Sequence, residues 1–255
     1  QVGRRLIVIG GVIFPVTVLT VLLTYGLSLM PRLQAADADW RIDVVGERWW
    51  WRVHYHAPNG ETVISANEIR LPAGQRIDFR LTSPEVIHSF WIPALGGKLD
   101  MVPGRENRLV LEPTEPGVYR GQCAEYCGSA HALMAFDVVV MPPADFAQWL
   151  EREAAPARAP DSALAARGQD RFLANGCGGC HAVRGTAASG TIGPDLTHVG
   201  ARRTLGAGTL PNTVDDYMHW IARTDTIKPG VLMPAYGMLP EAELRAIAAY
   251  LDGLQ

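Results

Sequence analysis

Two short stretches of this chain bring sulfur and imidazole together at spacings that suit metal chemistry. The first, Cys123-Ala-Glu-Tyr-Cys127-Gly-Ser-Ala-His131-Ala-Leu-Met134, holds two thiols, an imidazole and a thioether. A single-copper site needs one thiolate, two imidazoles and a weak axial thioether, because soft sulfur suits Cu(I) while imidazole suits both oxidation states. The second thiol is one too many for that site. Two sulfurs bridging two copper ions would use it, with one imidazole terminating each ion and Met134 and a main-chain carbonyl completing the set. The second imidazole must then come from outside the loop. His88 suits best, because it comes after Ser83-Pro84-Glu85 in a turn after a strand-like segment and could be projected to the same end. His54 and His56 suit less well, since alternation within a strand would spread them along the sheet. A disulfide between Cys123 and Cys127 would account for the cysteines alone, and a zinc site would leave Met134 idle.

The second stretch is Cys177-Gly178-Gly179-Cys180-His181. At this spacing two thioethers fix the vinyl groups of a c-type haem and the adjacent histidine becomes the proximal iron ligand. A thioredoxin-like pair has the same cysteine spacing, but it would open a helix after a strand, and no strand-like run precedes Cys177. A distal thioether raises the potential of the iron, which suits an electron carrier. Met233 is expected to supply it from Lys228-Pro229-Gly230-Val231-Leu232-Met233-Pro234, an irregular loop ahead of the last helix. Met238, a few residues later, Met218, expected on a helix, and His198 and His219 are its competitors.

Both stretches need scaffolds. From Trp40 to Met141 the chain alternates short β-branched runs (Arg41 to Val45, Arg76 to Thr82, Arg108 to Leu111, Phe136 to Val140) with turn formers at Pro58-Asn59-Gly60, Pro72-Ala73-Gly74, Pro103-Gly104 and Pro116-Gly117. That spacing predicts an all-β sandwich or barrel. A short helix is expected over Ala144 to Glu153, then an Ala/Pro-rich linker from Ala154 to Pro160 that sets the reach of the C-terminal segment. Ser162 to Asn175 and Glu241 to Leu254 have helical periodicity and flank a Gly/Pro-rich middle expected to be irregular. So few large apolar residues make a thin core, which a prosthetic group would complete.

The chain carries 23 Lys and Arg against 26 Asp and Glu, a net charge of −3 with no concentrated basic surface, so nucleic-acid binding is excluded. No residue from Leu6 to Met30 is charged. At about 1.5 Å per residue such a run crosses the roughly 30 Å hydrocarbon core of a bilayer. Arg4 and Arg5 precede it while Arg32 is followed by Asp37 and Asp39, which orients the N-terminus to the cytoplasm and the remainder outside. Because the sequence opens on Gln1, a preceding segment is left open.

Over residues 1 to 141 the chain resembles subunit II of cytochrome c oxidase. The likeness is carried by Trp49-Trp50-Trp51, Val86-Ile87-His88-Ser89-Phe90, Lys98-Leu99-Asp100, Pro103-Gly104-Arg105 and the whole Gly121 to Ser129 loop. It implies a cupredoxin-like domain with a dinuclear CuA centre, bridged by Cys123 and Cys127, terminated by His88 and His131, with Met134 axial and Glu125 giving its main-chain carbonyl. It further implies a Mg²⁺ site, shared with subunit I, at the Glu125 carboxylate, and Trp49 near the surface as the aromatic through which electrons enter. Ordinary sheet packing is expected for Trp50.

From Ala163 onward the chain resembles a class I cytochrome c, in which Cys177, Cys180, His181 and Met233 would hold haem c and Gly193-Pro194 would support His181. The implied organisation is multi-domain: a transmembrane anchor (1–36), an all-β cupredoxin-like sandwich (37–142), a linker (143–162) and an all-α cytochrome c domain (163–255). This fused order resembles caa3-type oxidases of the bacterial cytoplasmic membrane, with the two domains on the periplasmic or outer face. The implied role is relay of single electrons from an external donor, a cytochrome c or a quinol-oxidising complex, to a haem–copper subunit that reduces O2. A CuA-containing nitric oxide reductase and a copper-delivery protein are the alternatives.

Overall fold

The structure, a computed structural model, describes residues 1–33, 38–57 and 59–255. The expected boundary at 36/37, Asp37, and Pro58 of the first turn lie outside the described residues. The chain divides into two units, Gln1–Ala38 and Asp39–Gln255.

In the first unit, α1 (Val2–Val8) passes through a π-helical turn at Ile9–Ile13 into α2 (Phe14–Leu33). The turn contains Gly10 and Gly11 and lies just ahead of Pro15, which cannot donate to the helical ladder, so the change of pitch falls where the ladder is interrupted. Val2–Met30 is long and apolar enough to cross a membrane, its most apolar 18 residues having a mean hydropathy of 2.7.

The second unit opens with ten strands: β1 (Trp40–Glu47), β2 (Trp50–His56), β3 (Thr62–Ala66), β4 (Glu68–Pro72), β5 (Ile77–Thr82), β6 (His88–Trp91), β7 (Leu99–Met101), β8 (Asn107–Leu111), β9 (Gly117–Cys123) and β10 (Ala135–Met141). They form two five-stranded sheets, ordered β3-β2-β1-β5-β8 and β4-β10-β9-β6-β7. Alternation decides what each strand buries: Ile42 and Val44 of β1 and Trp51, Val53 and Tyr55 of β2 turn inward, and in register Val44 meets Val53 and Ile42 meets Tyr55. An aromatic cluster fills the space between the sheets. Phe90 stacks on Phe136 at 5.0 Å between centroids, and Trp51 meets the edges of Phe136 at 5.0 Å and Phe90 at 5.8 Å.

The stretch 143–162, expected as a linker, divides in two. Its first part is α3 (Pro143–Ala154), which buries Phe146, Trp149 and Leu150. Phe146 packs on Trp40 at 4.9 Å and Trp149 on Tyr55 at 5.1 Å, so this helix belongs to the core of the sandwich. Its second part lies along the C-terminal portion of the chain: Ala157 N–H donates to Arg184 O at 2.9 Å and His198 Nε2 to Ala155 O at 3.0 Å. The expected linker is a packed strap.

Beyond it come α4 (Ala163–Ala174), α5 (Val214–Ile227) and α6 (Glu241–Asp252), with a two-residue hairpin of β11 (Thr204–Leu205) and β12 (Leu210–Pro211). The irregular middle is interrupted by α5, the helix expected to carry Met218. Thr213 caps that helix by accepting from Asp216 N–H, Asp215 and Asp216 complement its positive end, and Tyr217, Ile221 and Thr224 form its buried stripe. The glycines and prolines lie on either side of it.

Where α4 crosses α6 the helices touch because position 168 has no side chain. A Cβ on Gly168 would stand 1.9 Å from the Ala246 carbonyl oxygen and 2.8 Å from Tyr250 Cβ. Gly168→Ala is therefore expected to destabilise the helical part by about 1–3 kcal/mol through forced separation of the helices, measured by thermal unfolding. Unfolding at the wild-type temperature would refute that packing.

Candidate copper and haem sites

Cys123 ends β9, the loop turns through a 3-10 segment at His131–Leu133, and β10 begins one residue after Met134, so two paired strands fix both ends of the loop. His88 is the first residue of β6, which pairs with β9 by Phe90 against Cys123. The adjacency expected for His88 therefore arises from strand pairing. Gly46 makes room for it: a Cβ there would stand 2.8 Å from His88 Cδ2.

The donors form an ordered row. His88 Nδ1 lies 3.7 Å from Cys123 Sγ, Cys123 Sγ 3.8 Å from Cys127 Sγ, and Cys127 Sγ 3.6 Å from His131 Nδ1. Met134 Sδ is 4.0 Å from Cys127 Sγ, and the Glu125 carbonyl oxygen is 3.2 Å from Cys123 Sγ. Both cysteines are free thiols, their sulfurs far beyond the ~2.05 Å of a disulfide. Their contact pulls Cys123 down into the thiolate range and pushes Cys127 up, because two adjacent buried sulfurs cannot both carry charge uncompensated. Cations between them would remove that conflict. Two thiolates in the middle, one imidazole at each end and a thioether and carbonyl at the flanks fit a pair of copper ions better than one tetrahedral zinc. His54 and His56 stay on β2, where His56 Nε2 meets Asp43 at 2.8 Å.

The Glu125 carboxylate is part exposed and 3.8 Å from the Lys98 ammonium, which also holds Asp100 at 2.8 Å. Two carboxylates sharing one lysine do not by themselves fit Mg²⁺, which takes several hard oxygen ligands.

The three tryptophans divide differently from the expectation. Trp51 is the one that packs in the sheet core. Trp50 lines the same cavity as the haem-attachment residues, with the Arg52 guanidinium 4.6 Å from its ring centroid. Trp49 precedes β2, so strand alternation does not govern it, and it is only 6% exposed. Its indole N–H donates to Cys127 O at 2.8 Å.

That cavity has a volume of about 200 Å³, and its walls include Cys177, Cys180, His181 and Met233 together with Trp49, Trp50 and Asn67 from the sandwich. His181 Nδ1–H donates to Pro194 O at 2.8 Å, which fixes the ring and leaves Nε2 as its free nitrogen. Burial pulls His181 below the usual imidazole range, favouring the neutral, metal-binding form. The walls also hold Arg202 and Tyr217, whose buried Nε and phenolic oxygen have no hydrogen-bond partner among the described residues. An apolar cavity with two thiols and an oriented imidazole, and with polar groups awaiting acidic partners, fits a covalent haem with its propionates.

Of the competing distal ligands, Met238 is 77% exposed, His198 is engaged with Ala155 O, and neither Met218 nor His219 lines the cavity.

The sandwich and the helical part meet along a seam. Arg52 donates to Thr191 O at 2.9 Å, Arg70 to Ala201 O at 3.1 Å, Arg203 N–H to Glu68 Oε2 at 2.8 Å and Ala135 N–H to Ala207 O at 3.0 Å. Trp49 lies within it, against Gly128 on one side and Gly230 on the other, where Cβ atoms would approach its ring to 2.8 and 3.0 Å. The expectation of a surface-lying Trp49 is thus overturned, because the chain's own helical part covers it.

Sequence reasoning missed Lys228, which is 1% exposed and lines the same cavity. Burial pulls its pKa down to about 7, against an opposing pull from Cys127. It also missed Gly46, Arg202 and Tyr217, for which no local spacing gives a signal.

Comparison with known proteins gives two family matches, "Cytochrome C oxidase subunit II, periplasmic domain" over residues 57–141 and "Cytochrome c" over 165–255. The chain is 38% identical over 225 residues to cytochrome c oxidase subunit 2 of Alkalihalophilus pseudofirmus, covering 88% of this chain and 64% of that one. It is 30% identical over 249 residues to cytochrome c oxidase subunit 2 of Bacillus sp. strain PS3, covering 92% and 69%. A solved structure, the periplasmic domain of subunit II of cytochrome oxidase from Bradyrhizobium japonicum, is similar over 46% of this chain and 94% of that one, at 31% identity and a TM-score of 0.43.

Proposed function

Because the chain belongs to the cytochrome c oxidase subunit 2 family, we propose that it is the electron-input subunit of a terminal oxidase. In this reading single electrons pass from an external donor, a cytochrome c or a quinol-oxidising complex, toward a haem–copper subunit I that reduces O2. The one-electron chemistry is supplied by bound haem c and a dinuclear CuA centre. The protein's part is to hold, orient and insulate them. Cys177, Cys180, His181 and Met233 would hold the haem. Cys123, Cys127, His88, His131, Met134 and the Glu125 carbonyl would hold the coppers. Any Mg²⁺ at the Glu125 carboxylate would need further ligands from subunit I. The helix Val2–Met30 would anchor the chain in the bacterial membrane, N-terminus inward and both cofactors on the periplasmic or outer face.

The observation that carries this reading is Trp49, whose indole both forms part of the haem cavity wall and hydrogen-bonds to the carbonyl of a cysteine in the copper loop. One rigid aromatic therefore touches both sites, which a copper-delivery protein does not require. Metal analysis of the purified membrane complex is expected to find two coppers and one haem iron per copy of this chain. Colourless protein with Cys123 and Cys127 joined as a disulfide would sink the proposal.

A further inference from the structure

We propose that Lys228 is a positioning residue that locks the wall of the haem cavity to the copper loop. The inference rests on the relay function of the two sites, since only for a relay does their mutual placement matter. The Lys228 ammonium donates to Leu133 O at 2.8 Å and to Gly206 O at 2.7 Å. Leu133 immediately precedes Met134, Gly206 comes directly after β11, and Lys228 itself ends α5 and opens the loop that carries Met233. One side chain thereby joins three segments, two from the helical part and one from the copper loop.

A lysine is among the residues least often buried, because removing an ammonium from water is costly unless it is well paired. Two charge-assisted bonds to main-chain carbonyls offset that cost, and the Thr209 hydroxyl, 2.7 Å from Gly206 O and 3.4 Å from Leu133 O, shares the same two acceptors. Two residues along, Gly230 lies against the Trp49 ring, and Ser129 Oγ donates to Pro229 O at 3.1 Å. The loop that Lys228 tethers is therefore the one that presses Trp49 toward Cys127. Other ties across the seam come from Arg52, Arg70, Glu68, Ser129, Thr204, Thr209 and main-chain groups, so removing the lysine is expected to loosen the junction without undoing it.

The test uses the full chain in its membrane complex, with Lys228→Met to keep length while deleting the donors. Hydrogen–deuterium exchange is read on a peptide containing Ala135, whose N–H crosses the seam to Ala207 O. Exchange there is expected to rise about tenfold while β5 is unchanged, and transfer between haem and copper to slow about tenfold, with metal content and both optical spectra as in the wild type. Lys228→Gln, which retains an N–H₂ donor, is expected to fall between the two, and it gives the same reading if the methionine variant does not fold. Unchanged exchange at Ala135 or an unchanged transfer rate overturns the proposal. So does faster exchange confined to α4 and α6, since that would make the lysine a fold element of the helical part alone. If the wild type lacks copper or haem while exchange at Ala135 still responds to Lys228→Met, the functional reading falls and the tether stands.

Discussion

Cys127→Ser is expected to empty the copper site, leaving haem attached and the sandwich folded. Cys127 has three other donors around its sulfur, Cys123 Sγ at 3.8 Å, His131 Nδ1 at 3.6 Å and Met134 Sδ at 4.0 Å. Serine has nearly the same shape but offers a hard hydroxyl where Cu(I) needs soft sulfur, and it cannot bridge two coppers as a thiolate does. Changes to groups that merely orient metal ligands already cost about 10–100-fold in affinity, so losing a bridging ligand is expected to exceed that range. Cys127 is one small member of a core built from Trp51, Phe79, Phe90 and Phe136, and serine keeps nearly its volume, so the packing that supports the loop is expected to persist. Copper analysis together with electron paramagnetic resonance is the measurement. Retention of two coppers with an unchanged signal would remove Cys127 from the site and return the loop to a mononuclear or disulfide reading.

How much of the molecule is legible in its sequence depends on the distance over which each feature is decided. Alternation within a strand is local, so the runs around Val44, Phe79 and Val138 can be read directly, and His131 and Met134 can be tied to the two cysteines by spacing alone. His88 can only be inferred, and the inference is met by the pairing of Phe90 with Cys123, a contact between strands well apart in the chain. The seam is not readable. Trp49 looks like a surface aromatic until the helical part, reached only after the whole sandwich, is laid over it. Lys228 is the plainest case: a lysine predicts exposure, and its burial depends on carbonyls 95 and 22 residues away. The strap after α3 escapes notice for a related reason. Its Ala/Pro composition promises freedom, but Ala155 and Ala157 offer main-chain groups to His198 and Arg184, which composition cannot show. Contacts between parts with separate cores leave little periodic trace in either sequence.

Met233→Ala is expected to convert the haem from six- to five-coordinate or to a weak-field adduct while both thioether attachments survive. The attachment needs only Cys177 and Cys180, and His181 remains oriented through Pro194 O. Met233 is the methionine among the cavity walls, and its loop is held by Thr224 Oγ1–H donating to Met233 O at 3.1 Å, so truncating the side chain leaves the backbone in place. Loss of a thioether removes the ligand that favours the reduced iron, so the reduction potential is expected to fall, within the roughly 0.8 V over which axial ligation sets haem potentials. Copper content should not change, since Met233 packs against the core of the helical part. Optical and magnetic spectra of the variant give the test: loss of the low-spin thioether signature at full haem content is the expected result. A spectrum identical to the wild type would mean that the iron takes its sixth ligand elsewhere, and Met238 would have to swing in from its exposed position. That would require the loop after Pro234 to rebuild on haem binding, a rearrangement that hydrogen exchange across Ala235 to Leu239 would reveal.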